Sequence, residues 1–94
     1  MPNPRYRKGY RAEKKVRRIL EESGYSVVES RGSHGPVDLV AWNDRYVLLI
    51  QVKCNRPPSE KEEDALRMIP GPSNMQRWVY LIRNRAPGQA WRVD

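Results

Sequence analysis

The chain reads as a small α/β domain, a mixed central sheet flanked by helices, and three observations carry that reading. Apolar residues recur at helical spacing near the N-terminus, at Ala12, Val16, Ile19 and Leu20. Short β-rich runs follow between residues 25 and 53, one of them apolar on both faces. A second helix start then precedes two further strand-like runs, so the predicted order is α-β-β-β-α-β-β in a single domain over residues 1–94.

Each element has its own local cause. The first helix is expected from Lys8 to Ser23, with Lys14, Arg17, Arg18 and Glu21 opposite the apolar stripe, and Gly24 ends it because glycine accepts the left-handed conformation that closes a helix. Tyr25 to Glu29 forms the first strand, and a Gly-Ser-His-Gly-Pro loop follows it. Val37 to Trp42 is the second, Asn43-Asp44-Arg45 the turn, and Tyr46 to Lys53 the third. Val47-Leu48-Leu49-Ile50 has no polar face, which predicts a central strand. After Pro57-Pro58, the capping box Ser59-Glu60-Lys61-Glu62 starts a second helix running to about Met68, and Pro70-Gly71-Pro72 stops it. Met75 to Arg77 is expected to add a helical turn, Trp78 to Ile82 a fourth strand and Ala90 to Val93 a fifth at the edge.

Composition narrows the partners. A chain of 94 residues has one small core, and none of its apolar runs approaches the roughly 18 residues that span a bilayer, so no membrane is expected. Met1-Pro2-Asn3-Pro4-Arg5 lacks the apolar stretch of a secretory signal, and the single Cys54 has no internal disulfide partner. A reducing, cytoplasmic setting is expected, the host cytoplasm if the gene is viral.

Charge is concentrated at one end. Arg5, Arg7, Lys8, Arg11, Lys14, Lys15, Arg17 and Arg18 face only Glu13, so the first 18 residues carry the whole net charge of +7. Such a single-sign patch suits a polyanion, because each phosphate it neutralises releases counterions. Arg5, Arg7, Lys8, Arg11 and Lys14, joined by Arg31 and His34 of the loop, are the candidate DNA contacts, and Tyr6 and Tyr10 among the arginines could stack on an unpaired base.

The residues that could carry chemistry lie near two strand ends. Alternation puts Gln51 and Lys53 on one face of the third strand and Leu48, Ile50 and Val52 on the other. Asp38 starts the neighbouring strand, and Glu13 sits at the margin of the helix's buried stripe. Asp38, Glu13 and the amide oxygen of Gln51 are oxygen donors of the kind Mg²⁺ takes, with Mn²⁺ as an alternative. Lys53 beside them could orient the attacking water and offset phosphate charge. Simpler roles compete: Asp38 as a turn cap, Lys53 as an exposed strand end, Glu13 as an i+4 partner of Arg17. Cys54 reads as inert, and Trp42, Trp78 and Trp91 as core or subunit contacts.

At these positions the sequence resembles the archaeal-type Holliday junction resolvases of the PD-(D/E)xK nuclease superfamily. Arg7-Lys8-Gly9-(x)₂-Ala12-Glu13, then Gly32-Ser33-(x)₃-Val37-Asp38-Leu39-Val40-Ala41, then Ile50-Gln51-Val52-Lys53 carry the resemblance, over about residues 5–56. It implies a restriction-endonuclease-like fold in a single nuclease domain over residues 1–94, with catalytic roles for Glu13, Asp38 and Lys53 and with Ser33 as an active-site loop residue, in a Mg²⁺-dependent homodimer that nicks four-way DNA junctions; Gln51 joins this catalytic and metal set through its amide oxygen. Gln51 departs from the pattern, since that position normally holds an acidic metal ligand. A related nuclease acting on other DNA structures, or a non-catalytic DNA-binding module, is the alternative. Leu66, Met68, Ile69, Met75 and Trp78 exceed what one small core needs and are expected at a subunit interface.

Overall fold

The computed structural model describes residues 4–30 and 35–94, and for residues 4–8 the backbone alone. Helix α1 (Pro4–Glu22) is followed by β1 (Ser26–Glu29), β2 (Leu39–Trp42), β3 (Val47–Cys54), α2 (Glu60–Arg67), β4 (Met75–Ile82) and β5 (Gln89–Arg92). The five strands lie in sequence order in one sheet, antiparallel except for the parallel pair β3 and β4. The mixed sheet, the central place of the all-apolar strand and the element order are those the sequence predicts.

Helix α1 begins four residues earlier than its apolar stripe requires, because Pro4 at a helix start loses no hydrogen bond and has a suitable φ. Its other end is a Schellman closure: Gly24 has φ 94°, its N–H donates to Glu21 O at 3.0 Å, and the Tyr25 N–H donates to Leu20 O at 3.0 Å. Ala12, Val16 and Leu20 are buried, whereas Ile19 is 39% exposed and lies at the margin of the stripe. This face packs with Val27, Leu39, Ala41, Leu48 and Ile50.

The other face of the sheet forms a second core. Leu49, Met75, Val79 and Val93 pack there with Leu66 of α2. Alternation along β3 therefore divides Leu48 and Ile50 from Leu49, which is why that run needs no polar residue. Helix α2 is anchored beyond its apolar contact: Trp91 Nε1 donates to Glu63 Oε1 at 3.2 Å and Arg67 Nε to Val93 O at 2.6 Å. Past the end of β3, Asn55 takes φ 65°, donates its N–H to Ile82 O at 2.7 Å and accepts the Asn84 N–H on Oδ1 at 2.9 Å. The ends of the parallel pair are thereby tied together.

Two expectations are corrected. Met75 to Arg77 is not helical but the first part of β4, paired with Val47, Leu48 and Leu49, since the long partner strand supplies hydrogen bonds that a detached turn would lack. Leu66 and Met75 are core residues of the monomer, 0% and 7% exposed, so they are not available to an interface, whereas Trp78 is half-buried against the α1 face. Met68, at 80%, is the exposed member of that group. Trp78 and Trp91 are half-buried core contacts, while Trp42 is 41% exposed.

Leu66 is the one buried side chain of α2, so Leu66→Ala should destabilise the fold by about 2–5 kcal/mol in denaturant titration. Met68→Ala, two residues on, should change it by less than about 0.5 kcal/mol.

Candidate active site at the end of the central strand

The site begins with a ladder that ends in a side chain. Asp38 donates its N–H to Ile50 O at 2.8 Å, and its Oδ2 accepts the N–H of Val52 at 2.8 Å. The carboxylate thus stands where a backbone carbonyl of β2 would complete the next rung. This holds it at the junction of β2 and β3, with the N–H fixing one oxygen. Burial pushes the Asp38 carboxyl above its ordinary 3.8, opposed by the Val52 hydrogen bond and by the positive charge of Lys53.

Gln51 and Lys53 project from β3 on the α2 side of the sheet, the side of Leu49. Gln51 is 6% exposed, and its Oε1 is buried without a hydrogen-bond partner among the described residues. A buried acceptor left without a donor costs about 1–3 kcal/mol. Lys53 Nζ lies 2.7 Å from Glu62 Oε2 in the first turn of α2. The Lys53 ammonium holds the Glu62 carboxyl below its ordinary value, assisted by the Ser59 N–H.

Asp38, Gln51 and Lys53 are therefore brought to one end of β3. Glu13 is half-buried on α1, which covers the opposite face of the sheet. Arg17, on the next turn of α1, is paired with Glu21 at 3.4 Å and with Glu29 at 3.7 Å. Arg31, Ser33 and His34 lie outside the described residues, as do the side chains of Arg5, Arg7 and Lys8. Among the described residues, no three acidic, histidine or cysteine side chains cluster as a ready metal cage. The donor set at β3 is one carboxylate and one amide oxygen, which fits a hard cation that keeps several of its own waters.

Sequence reasoning missed two contributors. Glu62 is legible only as a capping-box residue, and nothing in the sequence ties it to Lys53. Arg83 follows β4 and meets Arg11 and Lys15 of α1 in a cleft of about 370 Å³ that Cys54, Ile82 and Asn84 also line. Cys54 succeeds Lys53, so this basic cleft opens beside the same strand end, toward α1. Farther along α1, Tyr10, Arg11, Lys14, Lys15 and Arg18 line a shallow surface, with Lys14 Nζ 4.8 Å from the Tyr10 ring centroid.

The architecture is that of a restriction-endonuclease-like α/β domain. The sequence matches the family described as archaeal Holliday junction resolvase (Hjc) over residues 4–92, and the chain belongs to that family. It is similar to the crossover junction endodeoxyribonuclease Hjc of Methanocaldococcus jannaschii, 43% identical over 51 residues, which cover 54% of this chain and 38% of the relative. The chain thus spans well under half the length of that curated relative. It is also similar in structure to the Holliday junction resolvase Hjc of Archaeoglobus fulgidus, with TM-score 0.74 and 28% identity over 92% of this chain and 73% of the other.

The raised Asp38 carboxyl has a sign that can be tested. A native-state value above the unfolded one means that ionised Asp38 costs stability above the native value and costs none below 3.8. Asp38→Asn keeps an oxygen for the Val52 N–H without the charge. Its thermal midpoint should exceed wild type at pH 7, and the difference should vanish as the pH falls below 3.8.

Proposed function

We propose that this chain is a structure-selective endodeoxyribonuclease that resolves four-way DNA junctions by Mg²⁺-dependent phosphodiester hydrolysis. Its family membership supports the substrate class. The observation that carries the chemistry is the buried Oε1 of Gln51, partnerless among the described residues, on the strand that bears Lys53, beside the desolvated Asp38 carboxylate.

Asp38 would be the principal anionic ligand, its orientation set by the Val52 N–H. Gln51 would contribute its amide oxygen to the cation or to a water on it. Bound there, Mg²⁺ would supply Lewis-acid stabilisation of the phosphoryl group and a more acidic water. Lys53 would hold that water or a phosphate oxygen. Glu13 as a further carboxylate and Ser33 as an active-site residue complete the assignment implied by resemblance, and His34 would contact DNA. Arg5, Arg7, Lys8, Arg11, Lys14 and Arg31 would contact DNA phosphates, and Lys15 and Arg83 extend that set into the cleft beside Cys54.

The active form would be a homodimer, because paired nicks across a two-fold junction need two sites related by the same symmetry. Val28 and Trp42 remain 49% and 41% exposed on the face of β1 and β2 opposite α1, and this surface would meet the second copy. Sedimentation should show a dimer at micromolar concentration, and Trp42→Asp should shift it to monomer.

Cleavage of a labelled four-way junction, with and without Mg²⁺ and against excess linear duplex, tests the whole reading. Asp38→Asn should lower the cleavage rate by roughly two orders of magnitude or more while junction affinity holds. Changing Arg11, Lys14 and Lys15 together to Ala should weaken binding and lower the salt slope by about 0.9 for each phosphate that is no longer neutralised. Tight junction binding with no Mg²⁺-dependent cutting would make the chain a binding module instead.

A further inference from the structure

The carboxylate of Glu62 is committed on both sides. Oε2 meets Lys53 Nζ at 2.7 Å, and Oε1 accepts the Ser59 N–H at 3.2 Å, while Ser59 Oγ accepts the Glu62 N–H at 3.2 Å. The capping box thus fixes a side chain that would otherwise have several rotamers, and α2 itself is pinned by Leu66 and by the Trp91 and Arg67 hydrogen bonds. Lys53 is consequently held by a partner that cannot follow it into solvent. The pair is 27% and 42% exposed, a degree at which an ion pair adds little stability.

A second observation lies on the same strand. Gln51, 6% exposed, keeps an Oε1 without a hydrogen-bond partner among the described residues and carries no charge. With a neutral side chain there, Asp38 and Lys53 cancel, and the strand-borne set has no net charge to attract a dication. Adding Glu62 returns that set to a net charge of −1. The helix therefore provides what the strand lacks.

We infer that Glu62 is a positioning residue of this site: it holds Lys53 in place and supplies the negative charge missing at position 51. The inference rests on reading Asp38, Gln51 and Lys53 as one site. Glu62 acts through Lys53 and through its field, and Asp38 and Gln51 remain the groups that face the cation.

Glu62→Gln is the discriminating variant, since its amide oxygen can still accept the Ser59 N–H while the charge is lost. Mn²⁺ binding to the DNA-free protein, read by electron paramagnetic resonance, should weaken about three- to tenfold, and the Mg²⁺ concentration for half-maximal junction cleavage should rise by a similar factor. Introducing Gln51→Glu into that variant should restore both. A carboxylate on β3 cannot repair a damaged helix cap, so restoration separates the proposed role from a merely structural one. Unchanged Mn²⁺ affinity and Mg²⁺ requirement in Glu62→Gln, or a double variant as impaired as the single, would overturn the inference. If wild type never cuts a junction yet the Mn²⁺ results follow this pattern, the assigned activity fails and the role of Glu62 stands.

Discussion

All eight residues of β3 pair in parallel with the eight of β4, and the rest of the molecule is placed by that pairing. A parallel pair needs a crossover, and the segment between its strands delivers α2 to one face of the sheet. The hairpin partner β2 and the N-terminal helix then close the other side of β3. Because β3 is buried on both faces over Leu48, Leu49 and Ile50, polar residues are tolerated only toward its C-terminal end. Gln51 and Lys53 stand there, and Asp38 reaches the same end through its bond to Val52.

Much of this was legible because local signals and the final packing agree. Gly24 ends α1 in the geometry its position predicts, and Ser59 and Glu62 form the capping box that four residues of sequence announce. The unbroken apolar run of β3 correctly marks the centre of the sheet. Met75 to Arg77 misleads because the short segment has no decisive period of its own, and its strand conformation depends on Val47 to Leu49, distant in sequence. Leu66 and Met75 look superfluous to a one-core domain, yet a sheet covered on both faces needs two apolar layers.

The candidate site was legible only in part, for a related reason. Asp38, Gln51 and Lys53 follow from strand spacing and from the likeness to resolvases. Glu62 does not, since its pairing with Lys53 depends on how α2 returns over the sheet, and Arg83 joins Arg11 and Lys15 only when β4 lies beside β3. Burial also has opposite effects on two oxygens here. It makes the Asp38 charge costly, and it leaves the Gln51 amide without a donor among the described residues, so both groups lower stability in a way that suits ligand binding.

The left-handed Asn55 restricts what evolution can place just beyond the site. Its backbone demands a residue that accepts positive φ, and its side chain must also accept the Asn84 N–H. Glycine meets the first demand and fails the second, β-branched residues fail the first, and aspartate meets both only by adding an anion near Lys53. Position 55 is therefore a narrow gate in sequence space: drift there would alter either how the parallel strands are fastened or the charge around Lys53.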